Sequence, residues 1–187
     1  TMQEVTVRVT GPDRSDFGII DLPGIIHNGE GTVETQALIE KYIAPPQTLV
    51  LLLTMADQDE ELAKCLELAK KHDPGNTRTL RVLSKFDNFT SDESRKRAVQ
   101  LVCGGAEQVL GGHAVVCRYD GAGKYNSTRE TMMLKAAARK AGMEIPATRA
   151  GALALKERLP SLFAKLIQTN VPALKTAAEA HIADALA

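Results

Sequence analysis

The 187 residues contain no tryptophan, and aromatic residues make up only 4% of the chain. A stacking platform for single-stranded nucleic acid has almost nothing to build on. The basic C-terminal stretch holds one tyrosine and one phenylalanine, Tyr125 and Phe163, so no nucleic-acid partner is expected. Cysteine is scarce as well. Cys65, Cys103 and Cys117 are odd in number, widely spaced and without a C-x-x-C pair. That excludes a disulfide framework and a zinc site, and it favours a reducing compartment. The four histidines, His27, His72, His113 and His181, are scattered with no ligand spacing, so no protein-ligated transition metal is expected. The longest apolar run, Leu49 to Leu53, is far short of the roughly 20 residues of a membrane span. No signal or transit peptide pattern stands at the start.

Net charge is also lacking, because 23 basic residues balance 23 acidic ones. The balance hides an asymmetry. Residues 1–120 carry a formal charge of −5 and residues 121–187 a formal +5. The change falls near residue 120 and marks a change of character there. At 44% hydrophobic and 25% charged, the chain has the composition of a globular protein about one domain long.

Residues 4–10 alternate apolar and polar, with Val5, Val7 and Val9 on one face, as on a half-buried strand. The chain thus opens on a strand already in progress. Gly11-Pro12-Asp13 is turn chemistry. Phe17, Ile19 and Ile20 form a second strand that stops at Asp21-Leu22-Pro23-Gly24, so the two strands make an antiparallel hairpin at a sheet edge. A helix from about Val33 to Ile43 ends before Pro45-Pro46. Thr48–Thr54 is continuously apolar and reads as a parallel strand covered on both faces. A helix over Asp57–His72, a strand over Thr79–Leu83, a helix from Thr90-Ser91 to about Val102 and a strand over His113–Cys117 follow. This alternation predicts an α/β fold with a mostly parallel sheet. The remainder is helical: Ser127–Ala141, then about Thr148–Thr169, broken or kinked at Pro160, then Ala173–Ala187 after Pro172. Leu153, Leu155, Leu159, Leu162, Leu166 and Ile167 are expected to face the core.

Ligands of such sheets sit at the carboxyl ends of the strands. Three of these ends carry polar punctuation: Asp21-Leu22-Pro23-Gly24, Ser84-Lys85-Phe86-Asp87 and Cys117-Arg118. They are expected to lie along one edge of one sheet. A carboxylate at Asp21 suits a magnesium ion held through water, and Gly24 lets a backbone N–H approach a phosphate. D-L-P-G is also an ordinary tight turn. Ser84-Lys85-Phe86-Asp87 fits [NT]-K-x-D, with serine keeping the hydroxyl. The Asp87 carboxylate can accept both the N1–H and the N2–H₂ of guanine, a bidentate match that adenine cannot make.

Together, IIDLPGI (19–25), the stretch from Glu40 to Asp59 and LAKKHDPGNTRTLRVLSKFD (68–87) resemble the dynamin superfamily of large GTPases. H-D-P-G-N-x-R-T resembles that family's V-D-P-x-G-x-R-T, and Cys117-Arg118 resembles the Mx-type loop that lines base and ribose. The resemblance implies a three-layer GTPase-type sheet, incomplete, followed by a helical tail. It also implies a GTPase domain over 1–170 and, over 171–187, the start of a helix leading to a stalk, with Pro172 as a hinge. It implies GTP and Mg²⁺ as ligands, with Asp21 supporting the metal and Gly24 near the terminal phosphate. Ser84, Lys85 and Asp87 would read guanine, and Cys117 and Arg118 would line base and ribose. It implies self-assembly into homo-oligomers, membrane or cytoskeletal contacts through regions outside these residues, and a cytoplasmic, membrane-peripheral location. No catalytic base is assigned. No G-x-x-x-x-G-K-[ST] occurs. Gly123-Lys124 is a decoy, because Arg118 stands where the first glycine must be and Tyr125 replaces Ser/Thr. The resemblance therefore implies the C-terminal two-thirds of such a domain, inactive by itself. Without a phosphate loop upstream, the same residues would form a non-catalytic assembly or interaction module.

Overall fold

The computed structural model describes residues 18–25, 31–57, 60–104, 110–116 and 124–186. The first helix, α1 (Thr32–Ile43), starts after Gly31, whose φ of 86° is open to glycine. The strand β1 (Val50–Met55) leads to α2 (Glu60–His72), β2 (Thr79–Ser84), α3 (Asp92–Cys103) and the short β3 (Gly112–Ala114). Two further helices, α4 (Ser127–Lys140) and α5 (Ala152–Leu186), are separated by a single 3-10 turn at Ala147–Arg149. Helix α3 is capped by Ser91, which accepts from the Ser94 N–H, and α4 by Asn126, which accepts from the Arg129 N–H.

The three strands form a parallel sheet in the order β1-β2-β3, as the alternation of elements predicts. Its core lies on both faces of β2. On one face Leu80, Val82 and Val115 receive Leu155, Leu159 and Leu162 of α5. On the other, Leu83, Phe86, Val99, Val102, Ala114 and Leu134 pack between the sheet and α3 and α4. Helix, sheet and helix make three layers. At Gly112 the α3 backbone comes so close that a Cβ would stand 2.6 Å from the Leu101 carbonyl oxygen. Only glycine fits there.

Several expectations are corrected. Strand β1 is not covered on both faces. Leu51 and Leu53 pair with Leu80 and Val82 and share their face, yet they are 38% and 65% exposed. Helix α5 lies over β2 and β3, and the edge strand is left outside its reach. Residues 18–25 form no strand, and Ile19 and Ile20 are exposed. A strand exists through ladder bonds to a neighbour, and no described strand pairs with this segment. Residues 4–10, the other half of the expected hairpin, lie outside the described residues. The tail is one 35-residue helix through both Pro160 and Pro172. Each proline removes a single N–H from the ladder, and the turns on either side carry the helix on. Leu153 and Ile167 are exposed rather than in the core. Beyond Asn170, whose side chain reaches the Pro46 carbonyl, α5 exposes Val171, Leu174 and Ile182.

Helices α1 and α2 meet through Ile39, Ile43 and Leu68 and through Glu40, whose carboxylate accepts from Lys71 Nζ at 2.7 Å. The bond from Lys71, helped by Gln36, lowers the Glu40 pKa to about 2. A depressed carboxylate pKa stabilises the fold above the unfolded value and is lost as pH falls. The α1–α2 tie is therefore expected to be intact above pH 4.5 and to open as pH falls towards 2. A carboxyl-carbon NMR titration giving Glu40 an ordinary midpoint near 4.5 would refute this.

Candidate functional site

The carboxyl end of β2 is the most tightly organised place in the sheet. Ser84 ends the strand, and its hydroxyl donates to the Thr54 carbonyl of β1 at 3.1 Å. A hydroxyl is all that this tie needs, so serine serves where Thr or Asn is usual. The Ala56 N–H donates back to the Ser84 carbonyl at 2.9 Å. Lys85 follows in the left-handed region, at φ 51°. A lysine pays for that conformation, and such residues persist where their surroundings over-determine them, often at ligand sites. Its carbonyl accepts from the Asn88 N–H at 3.0 Å and closes a turn. Phe86 is fully buried at 0% exposure, packed edge-on against Phe89 with ring centroids 5.2 Å apart. Of its neighbours, Asp87 keeps one carboxylate oxygen, Oδ2, buried. Lys85 is exposed and Asp87 half-buried.

Two other segments are bound to this turn. The Phe86 N–H donates to the Val115 carbonyl at 3.3 Å, and the Val115 N–H to the Leu83 carbonyl at 2.9 Å. These bonds hold the last strand, which leads into Cys117-Arg118, beside the turn. On the other side Asp57, just past β1, accepts from Ser94 Oγ at 2.5 Å and from the Thr90 N–H at 3.1 Å. The bond from Ser94 holds the Asp57 pKa below its ordinary value against the opposing pull of desolvation. The ends of all three strands and the start of α3 are thus fastened around Ser84–Asp87.

The sequence-predicted residues fall into three groups. Ser84, Lys85 and Asp87 stand together on this turn. Cys117 and Arg118 lie outside the described residues, one residue past Val116. Asp21 and Gly24 are exposed in an irregular stretch, whose Leu22 and Ile25 pack on the Ile39, Ile43 and Leu68 cluster. Ile25 also lines a groove of about 290 Å³ between α1 and α2, with Gln36, Lys64 and Lys71. None of the residues lining that groove belongs to the β2 turn. No group of three His, Cys, Asp or Glu side chains gathers among the described residues. A magnesium ion there would suit one carboxylate, with water and phosphate as its remaining ligands.

Three residues carry structural loads that the sequence left without a role. Asp73 receives four bonds, from the Thr77 N–H and hydroxyl on one oxygen and from the Arg78 N–H and Thr79 hydroxyl on the other, at 2.7–3.1 Å. Desolvation raises its pKa, and these bonds together bring it below the ordinary carboxylate value. Arg78 is 5% exposed. Its guanidinium donates to the Ile43, His72 and Thr48 carbonyls at 2.8–2.9 Å. Glu130, 2% exposed, is the carboxylate at the start of the last helical pair. Its spacing was the available signal, since Glu130, Leu134, Ala137 and Ala141 share one helical stripe. A carboxylate in line with three apolar residues points into the core.

The Dynamin family model matches residues 2–86. The interferon-induced GTP-binding protein Mx2 of Sus scrofa is 34% identical over 89 residues, 44% of this chain and 12% of its own length. The interferon-induced GTP-binding protein Mx of Gallus gallus is 29% identical over 104 residues, 51% of this chain and 15% of its own length. The dynamin-1-like protein of Danio rerio is 30% identical over 91 residues, 46% of this chain and 13% of its own length. The chain thus spans less than a fifth of these relatives, and the family model's match covers the groove segment, β1, the Asp73–Arg78 clasp and the β2 turn as far as Phe86. Over that segment, the chain is similar to the dynamin family.

Proposed function

We propose that these residues form the base-reading half of a dynamin-like GTP site, and that the intact protein is a magnesium-dependent GTPase. The observation that carries this reading is the pinned Ser84–Asp87 turn at the carboxyl end of β2. It presents a carboxylate beside the strand that leads to Cys117-Arg118. Asp87 would accept from N1–H and N2–H₂ of guanine, and the Lys85 stem would pack along the base. Asp21 would support Mg²⁺ through water and Gly24 would meet the terminal phosphate. The metal and backbone donors would supply charge stabilisation during phosphoryl transfer. Hydrolysis would be coupled to self-assembly and to remodelling of a membrane from its cytoplasmic side, as the likeness to the dynamin family suggests.

These 187 residues contain no phosphate loop, and much of the affinity for a nucleotide comes from its phosphates. The chain is therefore expected to show no measurable GTP turnover and affinity weaker than micromolar. Calorimetry giving micromolar GTP binding would contradict this. At millimolar concentration, GDP is expected to shift the NMR amide signals of Ser84–Asn88 and of Val115 and Val116, while ADP leaves them in place. Equal shifts from both nucleotides, or shifts confined elsewhere, would overturn the reading.

A further inference from the structure

The buried carboxylate of Glu130 belongs to no part of the site described so far, yet it touches three separate segments. One oxygen accepts from the Val116 N–H at 2.7 Å. The other accepts from the Ala152 N–H at 2.8 Å and from the Tyr125 hydroxyl. Val116 is the last described residue before Cys117-Arg118, and Tyr125 lies at the other end of that loop. Ala152 is the first residue of α5. A single side chain therefore holds both ends of the 117–124 segment and the first N–H of the long helix.

The arrangement has chemical reasons. A carboxylate buried to this degree needs its lone pairs filled, and three donors do so. The first N–H groups of a helix have no partner within the helix, and its positive end favours an anion. The surroundings are correspondingly tight. Gly151, at φ 94°, passes so close that a Cβ would lie 3.0 Å from the Glu130 carboxylate. The Gly151 N–H donates to the Ala114 carbonyl at 2.8 Å, and its own carbonyl meets His113 Nε2 at 2.9 Å. The start of α5 is thus stitched to β3 directly and, through Glu130, to Val116 and Tyr125.

We propose that Glu130 is a positioning residue that couples the placement of Val116 and Tyr125 to the docking of the first turn of α5. Whatever holds Val116 and Tyr125 on the carboxylate strengthens its hold on Ala152. By linkage, a displacement of α5 loosens Val116 and Tyr125 to the same degree. The part of this proposal that concerns a nucleotide rests on the guanine-reading role of the neighbouring turn. The coupling itself does not.

The experiment reads hydrogen exchange at the Ala152 and Val116 amides by NMR in the whole chain. Tyr125→Phe deletes one donor at the loop side, about 27 residues from Ala152 in sequence. It is expected to speed Ala152 exchange by about threefold or more in the native background. In a Glu130→Gln background, where the amide can no longer accept from both backbone N–H groups, the same substitution is expected to leave Ala152 unchanged. If Tyr125→Phe leaves Ala152 unaffected in the native background, or acts equally in both, the coupling is overturned. Glu130→Asp keeps the charge with a shorter reach, and serves if Glu130→Gln does not fold. A second arm adds millimolar GDP, which is expected to slow Ala152 exchange in the native chain alone. If GDP shifts Ser84–Asn88 and leaves Ala152 unchanged, the proposal fails while the guanine reading stands. If GDP shifts neither, the guanine reading fails, and the Tyr125 comparison still decides the coupling.

Discussion

Replacing Arg78 with methionine is expected to lower the stability of the fold by about 3 kcal/mol, a fall in Tm of about 10 °C for a domain of this size. The cause is the position of the guanidinium. Ile43 is the last residue of α1 and His72 the last of α2. Their carbonyls have no partner within their own helices and lie at the negative ends of the two dipoles. Arg78 donates to both, and to the Thr48 carbonyl on the way into β1. It thereby caps two helices and fastens them to the sheet. Methionine fills much of the same volume and leaves three carbonyls without that donor. Arg78→Lys is expected to recover only part of the loss, because an ammonium cannot span the same three acceptors with a planar fork. Thermal unfolding of the three proteins tests this. A Tm within about 2 °C of the native chain for Arg78→Met would show that water replaces the guanidinium without cost.

Asp87→Asn is expected to exchange guanine for xanthine. The native carboxylate accepts from two donors on the guanine edge. An asparagine offers one acceptor and one donor, which suits the carbonyl that xanthine carries in place of the guanine amine. A site built to hydrogen-bond its ligand discriminates strongly against the wrong pattern, so the preference is expected to reverse by about 100-fold or more. In NMR titrations the Ser84–Asn88 shifts with GDP should vanish and reappear with the xanthine diphosphate. Retention of the GDP response by Asp87→Asn would remove Asp87 from base recognition. The backbone of the turn is held by Phe86 and by bonds to Val115 and Asn88, so the substitution is not expected to unfold it.

How much of this was legible in the sequence follows from the range of the interactions involved. The parallel sheet and the positions of α1 to α4 could be read from periodicity, because local burial patterns and caps such as Ser91 and Asn126 act within a turn or two. The Ser84–Asp87 turn could be read because four adjacent residues carry its chemistry. Glu130 was passed over because its partners, Val116 and Ala152, lie 14 and 22 residues away. Asp73 and Arg78 stood in a segment whose resemblance to a family was plain, and nothing local showed that Arg78 reaches back to Ile43, 35 residues away.

The sequence by itself determined that the chain is an α/β protein, with a Ser84-Lys85-Phe86-Asp87 turn after its second described strand and a helical tail. Local propensity, hydrophobic period and a short motif suffice for that, since each depends on neighbours in the chain. Only the tertiary structure decided that Leu51 and Leu53 stay exposed, that α5 runs unbroken through Pro160 and Pro172, and that one buried carboxylate holds a loop and a helix together. Those outcomes depend on where α5 lies across the sheet and on which orphan donors it brings to Glu130. Contacts between segments far apart in the chain set both, and no window of the sequence contains them.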